Sequence, residues 1–204
     1  MFELFADSTP NARKISIMLE EINESYDLTL INLNKGEQFN EEFKKISPFS
    51  KIPVLRHGSK TIFESGAILI YLADLSGEFY GSNQSLTTQW LMAQMGYIGP
   101  MLGQHHQFHH YNPGKSDFGE DRYFKIAETI YKNLDDHLSI NEYLANEYSI
   151  ADIATFPWIA RHPIHDIGLN KYINLLRWYN QISLRPAVLK GYDLFKDGSI
   201  PPPA

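Results

Sequence analysis

The 204-residue chain is predicted to fold as an α+β N-terminal half of order βαβαββα followed by an all-α half. Three observations carry that prediction. Up to about residue 76, short apolar β-prone runs alternate with segments whose apolar residues keep helical spacing. A stretch with Gly77, Gly81, Ser82 and Asn83 then breaks the pattern. After it no persuasive strand is legible. The expected organisation is one domain over 1–76, a linker over 77–85 and a helical domain over 86–204.

Phe2 to Ala6 reads as the first strand, and Asp7 to Asn11 as a loop. Pro10 suits a first helical turn and Thr9 stands where an N-cap would. Ile15, Met18, Leu19 and Ile22 then keep helical spacing to about Asn23. Tyr26 to Leu33 is the second strand, 35–38 its exit loop, and Phe39, Phe43 and Ile46 mark a second helix. Val54 to Arg56 and Thr61 to Phe63 flank a His57-Gly58-Ser59-Lys60 turn and form a hairpin opened by Pro53, where the missing N–H does no damage. Glu64 to Asp74 closes the half, and the order fits a mixed sheet with helices on both faces.

In the second half, Leu86 to Tyr111 and Phe118 to Leu138 read as long helices, the first strained at Gly99-Pro100. Ser149 to about His162, Tyr172 to Leu184 and a short piece after Pro186 follow. Ser149 and Asp152 have the spacing of a capping box ahead of an apolar run, a structural role. The 200–204 tail is expected to lie extended over the surface.

Composition narrows the function. Hydrophobic residues make up 43% and aromatics 13%, enough for a packed core. A net charge of −6 and an isoelectric point near 5.7 give no nucleic-acid or anionic-membrane surface. No leader-like or membrane-length apolar run is present, so a soluble cytoplasmic protein is expected. Cysteine is absent, which removes thiol nucleophiles, CxxC redox motifs, disulfides and thiolate metal sites together. Any sulfur chemistry must arrive with a ligand.

Around Ile52-Pro53 the residues point to ligand binding. A proline before a short strand is a reasonable place for a cis bond, which would turn the Ile52 N–H and C=O outward to pair an extended peptide. Glu64-Ser65 at a helix start suits an α-amino acid: the carboxylate receives an ammonium, and the hydroxyl with the free helix N–H groups receives a carboxylate. His105/His109 and His106/His110 have the i,i+4 spacing of a two-histidine site, but no further ligand completes it, so no metal is expected. These histidines are instead expected to line a cleft mouth. No Gly-x-Ser-x-Gly elbow supports a serine hydrolase.

KIPVL, a hairpin and FESGAILIYLA resemble the thioredoxin-like half of a cytosolic glutathione transferase. TPNARKISIMLEE together with GEQFNEEFKKISPFSKIPVL narrows the resemblance to the bacterial Nu-class disulfide-reductase group, related to the yeast nitrogen-regulating prion protein. It covers nearly the whole chain. It implies a homodimer using glutathione as co-substrate, with no metal, to reduce small disulfides. Conjugation of glutathione to an electrophilic substrate and a non-catalytic glutathione-binding scaffold are the alternatives.

By that resemblance Thr9 and Asn11 face the glutathione sulfur, where hydroxyl, amide and helix N–H donors would bring a thiol of pKa ~8.5 toward neutrality. Thr9-Pro10 as a mere helix start, and Ser8 as a competing hydroxyl, stay open. The Ile52 backbone would pair the cysteinyl unit, Glu64 and Ser65 the γ-glutamyl end, with Gln38 nearby. Lys51 would reach the glycyl carboxylate or else remain a solvated cation, and Pro53 is structural. Arg122 would reach into the neighbouring subunit's site, the plainer reading being a surface pair with Glu120, Asp121 or Glu128.

Overall fold

The structure, a computed structural model, describes residues 1–196 and 200–202. The first elements are β1 (Phe2–Ala6), α1 (Pro10–Glu21), β2 (Tyr26–Leu30), the short α2 (Glu41–Lys44), β3 (Val54–His57), β4 (Lys60–Phe63) and α3 (Ser65–Ser76). The sheet order is β2-β1-β3-β4, with β1 parallel to β2 and antiparallel to β3, and β3 antiparallel to β4. The expected mixed sheet and its element order are both present. Phe5 and Val54 are register partners on one face, where Phe43 and Ile31 pack on them. Their neighbours Leu4 and Leu55, fully buried, point to the opposite face, as strand alternation requires.

Two expected elements are shorter than their apolar pattern. The second strand ends at Leu30, because Asn32 begins a 3-10 turn by accepting the Lys35 N–H at 3.0 Å. The second helix shrinks to Glu41–Lys44 behind another 3-10 turn, Glu37–Phe39. Of its apolar markers Phe43 is buried, while Phe39 is 61% exposed.

The second half contains α4 (Gln84–Ala93), a π-helical stretch Gln94–Ile98, α5 (Gly99–His105), a second π stretch His106–Tyr111 and α6 (Asp117–Leu138). Then come α7 (Ile150–Ile159), α8 (His162–His165), α9 (Ile173–Ser183) and α10 (Pro186–Asp193). Strain at Gly99-Pro100 takes the form of a widened turn immediately before Pro100. That proline has no N–H to donate to the carbonyl four residues back, and its ring would crowd it. Gly99 is required as well, since a Cβ there would lie 2.8 Å from Gln94 Nε2.

The capping box at α7 is formed in full. The buried Asp152 carboxylate accepts from Ser149 N–H and Oγ, from Leu144 N–H at 3.0 Å and from Trp178 Nε1 at 2.8 Å. Across α6, Asp135 accepts the N–H groups of Asn174 and Leu175 and so caps α9. Of the expected extended tail, residues 200–202 belong to no helix or strand and the Pro201 carbonyl accepts the Tyr179 hydroxyl, while Pro203 and Ala204 lie outside the described residues.

The chain forms two compact units: Met1–Glu78 with Pro186–Ser199, and Phe79–Arg185 with Ile200–Ala204. The division differs from a single C-terminal domain over 86–204, because α10 belongs to the first unit. Gly191 sits so close to α1 that a Cβ would come within 2.8 Å of the Ile17 backbone nitrogen. Ser16 Oγ donates to the Gly191 carbonyl at 2.8 Å, and Arg13 Nη1 to that of Tyr192 at 2.9 Å. The Arg13 guanidinium also lies 4.1 Å from the Tyr192 ring centroid.

Candidate active site

The pocket lies in the first unit, between the start of α1, the segment leading into β3 and the start of α3. It has a volume of about 140 Å³ and is lined by Asn11, Lys51, Ile52, Pro53, Glu64 and Ser65, with Ser47, Phe49 and Phe63.

At the α1 end, Thr9 is in extended conformation and its Oγ1 accepts the Ala12 N–H at 3.3 Å. The capping role and a ligand role are compatible, since an accepting hydroxyl keeps its own hydrogen to donate. The loop before it is pinned by Asp7, whose carboxylate accepts the Ser8 N–H at 2.8 Å and the Leu33 N–H at 3.1 Å. Ser8 Oγ accepts from Arg13 Nη2 at 3.1 Å, and among the lining residues the first turn of α1 contributes Asn11.

Ser47, 2% exposed, organises the next segment. Its Oγ accepts the Lys51 N–H at 2.9 Å and donates to the Lys51 carbonyl at 2.7 Å, clamping both backbone groups of one residue. The clamp holds the turn that delivers Ile52, and the Ile52–Pro53 bond that follows is cis. Among the described residues, no hydrogen bond uses the Ile52 backbone N–H or C=O. Lys51 itself is exposed.

Glu64 caps α3 with φ +72° and ψ 117°, a backbone region that costs a residue with a Cβ about 1–3 kcal/mol. Its side chain makes no capping bond and remains exposed at the pocket. Ser65 is 5% exposed at the helix start, beside free N–H groups. Behind it stands Lys14, 1% exposed, with Nζ donating to Ser65 Oγ at 3.4 Å. Burial pushes the Lys14 ammonium well below its ordinary pKa, and the Glu64 carboxylate pulls it partly back.

Gln38 is not among the lining residues. It lies in the Glu37–Phe39 turn, with a buried Oε1 that has no partner among the described residues. Arg122, on α6 in the second unit, is exposed and forms no hydrogen bond or ion pair among the described residues. Two of the three surface partners that the sequence offered are otherwise engaged: Asp121 pairs Lys125 at 2.7 Å and Glu120 accepts the Gly114 N–H.

The histidine run departs from a cleft-mouth lining. His105 and His106 turn inward, with His105 Nε2 2.8 Å from the His165 carbonyl oxygen and His106 Nε2 2.7 Å from His165 Nε2. The Tyr131 hydroxyl meets His165 Nδ1 at 2.6 Å. Burial drives the His106 pKa down to about 3 and that of His165 well below the ordinary value, so both rings are neutral at neutral pH. Among the described residues no group of three or more metal-ligating side chains is assembled. Sequence reasoning missed Lys14, Ser47 and His165. Lys14 alone carried a signal, a cation inside an otherwise apolar helical stripe.

These features define a thioredoxin-like unit with an amino-acid-sized polar pocket, followed by a helical unit. The family descriptions "Glutathione S-transferase, N-terminal domain" and "Glutathione S-transferase, C-terminal domain" match residues 2–74 and 115–186, and the chain belongs to the glutathione S-transferase family. It is similar to the disulfide-bond oxidoreductase YfcG of Escherichia coli, with 39% identity over 198 residues covering 92% of each chain. YghU of the same organism, also a disulfide-bond oxidoreductase, is 32% identical over 93% of this chain and 73% of its own. Among solved structures, a Pseudomonas putida glutathione transferase with one glutathione disulfide per subunit has a TM-score of 0.89 at 36% identity, covering 95% of this chain and 91% of that one. One from Burkholderia graminis with two glutathione molecules per subunit scores 0.88 at 36% identity, with coverages of 97% and 89%.

Proposed function

We propose that the protein is a glutathione-dependent disulfide reductase that supplies no sulfur of its own. The observation that carries this reading is the pocket: donor and acceptor groups for each part of a tripeptide thiol, in a chain without cysteine. A bound glutathione thiolate, stabilised by Thr9, Asn11 and the α1 N–H groups, attacks one sulfur of a small disulfide. The S–S bond breaks, a mixed disulfide forms and one substrate thiolate leaves. A second glutathione thiolate attacks the glutathione sulfur of the mixed disulfide, releasing the second substrate thiol and oxidised glutathione. Two glutathiones are oxidised for each disulfide reduced. Relatives with one glutathione disulfide or two glutathiones per subunit support such a two-tripeptide site.

Each residue's part follows from its chemistry. The open Ile52 N–H and C=O pair the cysteinyl backbone as a strand edge would. Glu64 receives the γ-glutamyl ammonium, Ser65 with the α3 N–H groups receives its carboxylate, and Lys51 reaches the glycyl carboxylate. The working unit is a cytoplasmic homodimer in which Arg122 of one subunit completes the other's site. Comparing turnover of a small disulfide with conjugation of an aryl halide, both with glutathione, tests the reading. Disulfide turnover should dominate. Dominant conjugation would make the protein an electrophile transferase, and glutathione binding without either reaction would make it a scaffold.

A further inference from the structure

Ser47 is 2% exposed and lines the pocket, yet its hydroxyl has no hydrogen left to give a ligand. That hydrogen goes to the Lys51 carbonyl at 2.7 Å, while the oxygen accepts the Lys51 N–H at 2.9 Å. The Ser47 backbone is engaged as well: its N–H donates to the Phe43 carbonyl and its carbonyl accepts the Ser50 N–H, both at 2.9 Å. These bonds close the 47–51 loop, in which Ser50 sits at φ +53°, a region that residues with a Cβ seldom adopt. We propose that Ser47 is a positioning residue for glutathione: its clamp reduces the open strand edge to a single residue, Ile52, and so fixes the register in which the cysteinyl unit pairs. The inference deepens the glutathione reading and rests on it.

Chemistry bounds that edge on both sides. Upstream, the Lys51 N–H is spent on Ser47, and Ser50, in the left-handed region, is not extended. Downstream, Pro53 has no N–H, and Val54 is already flanked by Phe5 of β1 and Phe63 of β4. Between them the Ile52 N–H and C=O make no hydrogen bond among the described residues. The Lys51 carbonyl and the Ile52 N–H share one planar peptide unit and point opposite ways, so the bond from Ser47 to that carbonyl aims the N–H. An antiparallel hydrogen-bonded rung exchanges both groups of one residue with both groups of another. Ile52 offers one such rung, which a tripeptide fills with its central residue. A longer extended peptide finds no second rung, so backbone pairing favours a small peptide thiol over a cysteine within a protein strand. Without the Ser47 hydroxyl the peptide unit is free to rotate, and the Ile52 groups are aligned for pairing only part of the time.

Calorimetric titration of wild type and Ser47→Ala with two ligands tests this. One is reduced glutathione; the other carries an ester oxygen in place of the cysteinyl N–H, which removes the donor to the Ile52 carbonyl. Wild type should prefer glutathione by about fivefold or more, within the range of one neutral hydrogen bond. In Ser47→Ala glutathione should weaken by about fivefold or more and the ester by less, bringing the preference below about twofold. Equal weakening of both ligands, the mark of a merely structural residue, or unchanged glutathione affinity overturns the proposal. Amide hydrogen exchange of the wild type keeps the test independent of how well the variant folds. Without ligand the Lys51 amide should be protected and the Ile52 amide should exchange readily. Glutathione should slow exchange at Ile52 by about tenfold or more and leave Lys51 unchanged. Glutathione binding without protection of Ile52, or a Lys51 amide that is open in the free protein, overturns the proposal and leaves the glutathione reading in place. No binding of glutathione by wild type removes both.

Discussion

Thr9 caps α1 and, in the proposed reaction, also donates to the sulfur, so one substitution can remove both contributions together. Thr9→Val removes the cap on α1, costing ~1 kcal/mol of stability, together with the donor proposed for the sulfur. Thr9→Ser keeps both and should behave as wild type. Combined with Asn11→Ala, Thr9→Val should lower turnover at least about tenfold with a smaller change in glutathione affinity, because donors to a charged sulfur count most in the thiolate state. Undiminished turnover in the double variant would transfer activation to Ser8 or the helix N–H groups. His106 supports a second prediction. Its pKa is lowered from 6.5 to about 3, so below pH 6.5 the unfolded chain binds a proton that the folded chain resists, and stability falls as pH falls. Asp152 works in the opposite sense: burial raises its carboxyl from 3.8 to about 6, so between those values the folded chain holds the extra proton and stability falls as pH rises. His106→Gln should remove about 1.4 kcal/mol per pH unit from the acid slope, read from urea unfolding at stepped pH. An unchanged slope would mean that His106 is not the titrating group.

At the scale of elements, α10 belongs to the sheet-bearing unit although it follows the helical unit in sequence. Arg13 links it to the loop before α1, donating to Tyr192 O through one guanidinium nitrogen and to Ser8 Oγ through another. Gly191→Ala would set a methyl within 3 Å of the Ile17 backbone. Overpacking of that kind costs ~1–3 kcal/mol, and hydrogen exchange should show α10 opening before the sheet does. Uniform destabilisation without early release of α10 would argue against a separately docked helix. The π turn before Pro100 and the shortened α2 show local chemistry overriding apolar periodicity: a missing N–H in one case, and in the other a chain held in 3-10 turns ahead of Phe43.

At the scale of the molecule, the remaining question is how a complete site is assembled. Arg122 is exposed, unpaired among the described residues, and carried by the helical unit. If the site is shared between subunits, Arg122→Ala should weaken oxidised glutathione more than a single reduced molecule, since two tripeptides bring more carboxylates within reach of the guanidinium. Mixing Arg122→Ala with Asn11→Ala protein, once subunit exchange is established, should then restore activity above either parent. Mixed dimers would carry one intact site. No recovery would place Arg122 in its own subunit's chemistry or outside it.

The fold class, the order of the sheet elements and most of the pocket were legible in the chain because they rest on local rules. Strand and helix periodicity, Pro10 and Thr9 at a helix start, the Ser149–Asp152 box and a proline opening a hairpin each act over a few residues. Ile52, Glu64 and Ser65 could be picked out as neighbours of those signals, whereas Asn11 and Lys51 were singled out by the resemblance to glutathione transferases. What only the tertiary structure decided involves partners far apart in sequence. Lys14 meets Ser65 across 51 positions, His106 meets His165 across 59, and Arg13 meets Tyr192 across 179. A buried cation or imidazole is tolerable only where a folded neighbour satisfies it, and no pattern along the chain names that neighbour. Helical periodicity placed residue 14 on a helix; whether that face met water or Ser65 depended on how the helix packed.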